Sequence, residues 1–315
     1  MKKNIFRIVK IVSVLLLSFS FISCFPKDDG IADKVNIVST IFPEYDWVQQ
    51  IIGNSANVTN SLVIKNGVDM HSFQPSASDI VQIHSCDIFI YVGGNSDEWV
   101  SQVLEQRTNK DMKIIKLMDL IEAKEEGEAI QSEEEEEETE LDEHVWLSIN
   151  NPITFVKAIS AAIIEKDPEN AEYYQKKTEN YLSELAGIRD GYKMIASGAE
   201  NSTLIFCDRF PFRYLMDELN LNYIAAFPGC SSENQASFET IAALTQAVKD
   251  YNVKALIKLE NSTDKLAQSV MANSKYCDVI TLDSMQSVTL RQAFNGKTYA
   301  QFMRTNLEEL RKVLK

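Results

Sequence analysis

Short β-branched segments alternate with amphipathic helical ones along nearly the whole chain, and this alternation most narrows what the chain can fold into. Val35-Asn36-Ile37-Val38-Ser39-Thr40 reads as a strand. Pro43 to Ile52 follows as a helix with Val48, Ile51 and Ile52 on one face, and Val58 to Ile64 as a second strand. Ser76 suits the cap of a helix over 77–83, and the apolar run from Asp87 to Val92 is a strand ending at Gly93-Gly94. A helix over about 98–107 and a strand over 113–117 complete this series, and a helix over about 152–165 closes it. The second half repeats the pattern, with strands at 203–206, 221–227, 253–259 and 279–282 and helices at 214–219, 237–250, 263–273 and 299–315. Between the halves, Asp167-Pro168 opens a helical stretch over about 169–197, about 42 Å long at 1.5 Å per residue. The prediction is an α/β protein of two (βα) lobes with parallel sheets, joined by one long rigid helix.

Charge bounds the partners. The chain of 315 residues carries a formal net charge of −15, with 31 basic and 46 acidic side chains, which argues against a nucleic-acid partner, because neutralising phosphates needs a basic face. The acidity is local, because residues 125–143 hold 12 carboxylates and no Lys or Arg, and the remainder carries only −3. Like charges at that density repel and stay solvated, which predicts a disordered acidic loop within the first lobe. As a solvated spacer it would do nothing more, whereas field focusing would let it gather divalent cations.

The first residues read as an address. Lys2, Lys3, Arg7 and Lys10 precede an apolar run from Ile11 to Ile22, too short to span a bilayer, and Ser23-Cys24 follows it. This junction resembles the lipobox of bacterial lipoproteins, which implies Cys24 as the lipid anchor; the alternative is an ordinary signal peptide. The expected organisation is a signal peptide over 1–23, a tether over 24–33, an N-terminal lobe over 34–167, a linking helix over 168–198 and a C-terminal lobe over 199–315. Export permits disulfides among Cys86, Cys207, Cys230 and Cys277, either as two bridges or as a single bridge in the second half with Cys86 buried.

With three histidines in the chain, each can be weighed. His71 lies in a Gly/Pro-bounded loop after a strand, at the carboxyl edge where α/β proteins build sites, and His144 follows the acidic run. His84 lies between a helix and a strand, toward the far edge, and reads as a surface residue. Glu260, at the end of a strand, reads as structural, and Phe206, Phe210, Phe212 and Tyr214 read as core.

Several linked segments carry a family resemblance. GVDMHSFQPSASDI (67–80), EHVWLSINNP (143–152), CDRFPFRYLMDELNL (207–221), AAFPGCSSENQASFETI (225–241) and TYAQFMRTNLEEL (298–310) resemble zinc- and manganese-type solute-binding proteins of ABC transporters, cluster A-I, on its zinc-type branch. The resemblance covers nearly the whole chain beyond the leader. It implies a metal cleft between the lobes, with His71 and His144 as ligands from the N-terminal lobe. Many relatives offer a third His after the first strand of the C-terminal lobe, where this chain has Cys207-Asp208-Arg209. Asp208 is then the expected third ligand, with Cys207 the alternative, and Asp283 the expected fourth. Two imidazoles and two carboxylates would suit zinc or manganese.

The implied function is capture of a divalent ion, Zn2+ or Mn2+, outside the cytoplasm and delivery to a permease with its ATPase subunit, by a lipid-anchored monomer with no catalytic residues. A surface adhesin is the rival. A zinc hydrolase is a weaker one, since the sequence has no His-Glu-x-x-His cluster, and the phosphate loops GxGxxG and GxxxxGK[ST] are absent as well.

Overall fold

The computed structural model describes residues 34–131, 140–199, 202–231 and 235–314. The leader and Cys24 lie outside the described residues.

Among the described residues, eight strands form two four-stranded parallel sheets. In the first half β1 (Val35–Ser39) leads into α1 (Phe42–Ile52), β2 (Val58–Leu62), α2 (Ala77–Ser85), β3 (Ile88–Tyr91), α3 (Trp99–Glu105), β4 (Lys113–Lys116) and α4 (Asn151–Lys166). The long helix α5 (Ala171–Ser197) follows. The second half runs β5 (Thr203–Phe210), α6 (Arg213–Leu219), β6 (Asn222–Pro228), α7 (Phe238–Tyr251), β7 (Ala255–Leu259), α8 (Lys265–Ala272), β8 (Asp278–Leu282), α9 (Leu290–Phe294) and α10 (Tyr299–Leu314). The sheets are ordered β2-β1-β3-β4 and β6-β5-β7-β8, so both halves cross over in the same pattern. Ile37, Val38, Ile88, Phe89 and Ile90 are buried on successive positions, as expected of parallel strands covered on both faces.

The long helix is held by a stripe. Tyr174, Thr178, Tyr181, Leu185, Ile188, Tyr192 and Ile195 are its buried residues, spaced alternately by four and three, which keeps one face against α1, α4 and α10 over 27 residues. Three buried hydroxyls fix its register: Tyr174 donates to Asp167 at 2.6 Å, Thr178 to Ser160 at 2.7 Å and Tyr192 to the Met303 carbonyl at 2.8 Å.

Two expectations are corrected here. The acidic segment is not a loop free of contacts: Glu125 bridges Leu141, the Ile130 and Gln131 amides donate to the Ala225 and Ala226 carbonyls of β6 at 2.9 and 3.1 Å, and Gln131 Oε1 accepts from Ser237 N and the Thr240 hydroxyl at the start of α7. Backbone groups pair whatever charge their side chains carry, so residues 125–131 form a strap from the first lobe onto the edge of the second sheet. Residues 132–139 lie outside the described residues. Nor does either bridge pattern occur: Cys86, Cys207, Cys230 and Cys277 are all free. Cys86 is buried in the first lobe, Cys207 and Cys277 sit in an apolar cluster behind the second sheet, and Cys230 follows β6.

Among the described residues, no helix is long and apolar enough to cross a membrane.

Candidate metal centre

The loops at the carboxyl ends of the strands meet between the two sheets. After β2, Asn66 and Gly67 turn through left-handed backbone into a 3-10 turn at Met70–Ser72, whose first amide hydrogen bonds go to Asp69. His71 stands on that turn. Its Nδ1 lies 2.8 Å from Ser96 Oγ and 3.0 Å from Glu143 Oε1. His144 is wholly buried at the start of the turn Val145–Leu147, and Asp142 Oδ1 holds both its backbone amide, at 2.7 Å, and its Nδ1, at 2.9 Å. Trp146 fixes this turn against the other half of the chain, donating to the Ser284 carbonyl at 2.8 Å.

With each Nδ1 facing acceptors, each Nε2 presents a lone pair to the cleft. The two Nε2 atoms are 3.3 Å apart. Two nitrogens each about 2.0–2.1 Å from one tetrahedral ion lie about 3.3–3.4 Å apart, so the pair already has the spacing of one edge of a zinc tetrahedron.

The second lobe brings a thiol. The Pro228-Gly229 turn ends β6 and sets down Cys230, whose amide donates to Glu126 Oε1 of the strap at 2.8 Å. A Cβ at Gly229 would fall 2.9 Å from the Phe210 carbonyl and 3.0 Å from His144 Cε1, so a side chain there would wedge the turn off the imidazole. His71, His144 and Cys230 form the one group among the described residues whose His, Cys, Asp or Glu donor atoms all lie within 4.8 Å of one another. Gln286 completes the approach: it is 4% exposed, its amide nitrogen is 3.2 Å from His71 Nε2, and its Oε1 has no hydrogen-bond partner. Amide oxygen and nitrogen are interchangeable by a flip, which would bring the unpartnered oxygen to face the same point as the two imidazoles.

The expected carboxylates stand outside this group. Asp208 sits at the register shift of β5, lining a cavity of about 430 Å³ with His71. Its two oxygens accept from Arg209 N at 2.9 Å and Leu259 N at 3.0 Å, and it is not in the group of converging donors. Cys207 faces the apolar cluster behind the sheet, where burial, with the charge of Asp208, pushes its thiol up to about 12. Asp283 accepts from Met285 N at 2.9 Å and stands outside the group, three residues short of Gln286. Glu260 takes both its bonds from Ser284, a structural role, and burial and Asp283 push its carboxyl up to about 7. His84 ends α2 at the opposite edge. Sequence reasoning missed Cys230 and Gln286. The signal for Cys230 was a sulfur donor straight after a strand-ending Pro-Gly turn; Gln286 has no charge to draw attention.

Electrostatics favours a cation. Burial raises the Glu143 carboxyl, but the hydrogen bond from His71 and the nearby imidazoles outweigh it and bring it down to about 2. Burial pulls the His144 imidazole down; the charge and hydrogen bond of Asp142, with Glu143 and Glu126, reverse this to a net upward shift. Cys230 is pushed well up, by burial first and then by Glu143, Glu126 and Asp142. Across the mouth, Arg209 of the second lobe pairs with Asp69 of the first at 2.9 Å.

Two parallel α/β lobes spanned by a long helix, with side chains from both converging in the cleft, define the class of rigid-helix solute-binding proteins. The chain belongs to the family described as zinc-uptake complex component A, periplasmic, whose model matches residues 37–313. It is 29% identical to the zinc-binding protein AdcA of Streptococcus pyogenes over 99% of its own length and 61% of that protein's, so it spans about three-fifths of that relative. It is also 29% identical to the high-affinity zinc uptake system protein ZnuA of Bacillus subtilis, over 90% of this chain and 88% of that one. Among solved structures, the Zn(II)-bound ZnuA-like domain of Streptococcus pneumoniae AdcA superposes with a TM-score of 0.73 at 26% identity, covering 89% of this chain and 99% of that one. The metal-dependent lipoprotein YcdH of Bacillus subtilis gives 0.76 at 25%, covering 90% and 100%.

Proposed function

We propose that the chain is the extracytoplasmic solute-binding component of an ABC importer, that it captures one zinc ion between its lobes, and that it passes the ion to a membrane permease driven by a partner ATPase. His71, His144 and Cys230 hold the ion, and the Gln286 amide oxygen faces it. The observation that carries this reading is the 3.3 Å approach of two imidazole Nε2 atoms whose other nitrogens both face carboxylates. Without a cation, two lone pairs so close repel.

The donor set also argues for zinc over manganese. Thiolate is a soft ligand that zinc accepts readily, whereas manganese favours carboxylate, carbonyl and water oxygens. The carboxylates that would have suited manganese, Asp208 and Asp283, are tied to backbone amides. Cys24 serves as the lipid anchor in this reading. What supports it is the basic and apolar leader ending in Ser23-Cys24 and the 30% identity, over 96% of this chain, to the zinc-binding lipoprotein AdcA of Streptococcus pneumoniae.

Calorimetric titration of metal-free protein, with a competing chelator, tests the site. The expected result is one zinc per chain. His71→Ala and His144→Ala weaken binding by orders of magnitude, while His84→Ala matches the wild type. Near-normal affinity in both of the first two variants removes the site.

A further inference from the structure

Glu143 is not among the three donors, yet one of its oxygens touches two of them from opposite sides of the cleft. Oε1 lies 3.0 Å from His71 Nδ1 and 3.6 Å from Cys230 Sγ. The side chain is 1% exposed and cannot turn to solvent. Ser96 pins it twice, the hydroxyl donating to Oε1 at 2.5 Å and the backbone amide to Oε2 at 3.0 Å. Gly94 makes the room, since a Cβ there would fall 2.3 Å from both Glu143 Cβ and Oε2.

We propose that Glu143 is a positioning residue that presets His71 in the metal-binding tautomer and draws the Cys230 sulfur toward the same point, so that affinity depends on a side chain that does not touch the ion. The inference rests on the metal-capture reading above. A carboxylate only accepts hydrogen bonds. It therefore takes the Ser96 hydroxyl proton, and the Ser96 oxygen is left to face His71 Nδ1, at 2.8 Å, with its lone pairs. Two acceptors at Nδ1 require that nitrogen to carry the imidazole proton, which leaves Nε2 bare toward the cleft. Take the carboxylate away and the Ser96 hydroxyl is free to donate to Nδ1. The proton then moves to Nε2, where it blocks the ion. The same oxygen gives the Cys230 thiol its acceptor, which links the His71 turn of one lobe to the β6 turn of the other.

The test is Glu143→Gln, whose amide donates where the carboxylate only accepts. Nitrogen NMR of the metal-free protein reads the His71 tautomer directly. We expect the proton on Nδ1 in the wild type and on Nε2 in the variant, a zinc affinity lower by about 10–100-fold, and an apo melting temperature within a few degrees of the wild type. Gly94→Ala displaces the carboxylate without altering it, and we expect the same tautomer change, which covers the case of a variant that folds badly. If His71 keeps its Nδ1 proton in both variants, or both bind zinc like the wild type, Glu143 does not act this way. Failure of the functional reading looks different: the wild type takes up no zinc while the apo tautomer still follows Glu143.

Discussion

Cys230 alters what pH does to the site. A binding site of imidazoles alone gains affinity as pH rises through about 6.5 and then levels off, because the rings are neutral above that value. A thiol must also lose its proton to bind zinc, and the Cys230 thiol is pushed above its ordinary value by burial and three carboxylates. The empty site therefore holds that proton at neutral pH, and each binding event releases it. Zinc affinity should keep rising, by about tenfold per pH unit, from pH 7 to 8.5. Competition titrations at several pH values check this, and Cys230→Ser should flatten the rise. The two histidines whose Nε2 atoms meet in the cleft stand out in the sequence because histidine is scarce here and loop positions after strands mark sites. Asp208 and Asp283 also stand at strand ends, but they accept from backbone amides and lie outside the group of converging donors, a difference that spacing along the chain does not carry. A cysteine in an exported chain has two readings, bridge or ligand, and only the placement of β6 beside His144 separates them.

At the scale of elements, strands and helices followed the hydrophobic period closely, with boundaries off by a few residues; β5 extends to Phe210, where residues 203–206 were expected. The strap was not legible, because what holds it is main chain, and composition says nothing of main-chain partners. It contributes two sheet-like hydrogen bonds to β6 and, through Gln131, an acceptor for the first turn of α7. Ile130→Pro removes the amide that donates to the Ala225 carbonyl. The expected loss is about 1–3 kcal/mol, or a melting temperature several degrees lower. A melting curve unchanged within a degree would mean that the strap lies on β6 without supporting it. Glu126 sits four residues before the altered site and holds the Cys230 amide, so zinc affinity should fall as well.

In the proposed reading the donors come from both lobes, so metal occupancy is tied to the stability of the whole molecule. Binding to the native state alone stabilises by about 2.7 kcal/mol at a free zinc concentration 100 times the dissociation constant. For a chain of this size that raises the melting temperature by about 5 °C, in one transition in which both lobes melt together; a chelator should reverse it, and Cys230→Ser should abolish most of it. Calorimetric scans with and without zinc measure both. Architecture was the most legible level, since the alternation of periods in each half left few ways to arrange two sheets about a long helix. One feature of that architecture bears on how copies of the chain treat each other. β6 is an outer strand of its sheet, and an outer strand offers unpaired carbonyls and amides to any neighbour. Here two of those carbonyls are already taken by Ile130 and Gln131, and six consecutive glutamates begin two residues further along the sequence. A second molecule approaching that edge meets filled hydrogen bonds and the carboxylates of Glu125, Glu126 and Glu128, which line a cleft with Tyr223, Ile224 and Ala225. The segment that fastens one lobe to the other thus also guards against edge-to-edge aggregation, most strongly at low ionic strength, where repulsion reaches furthest.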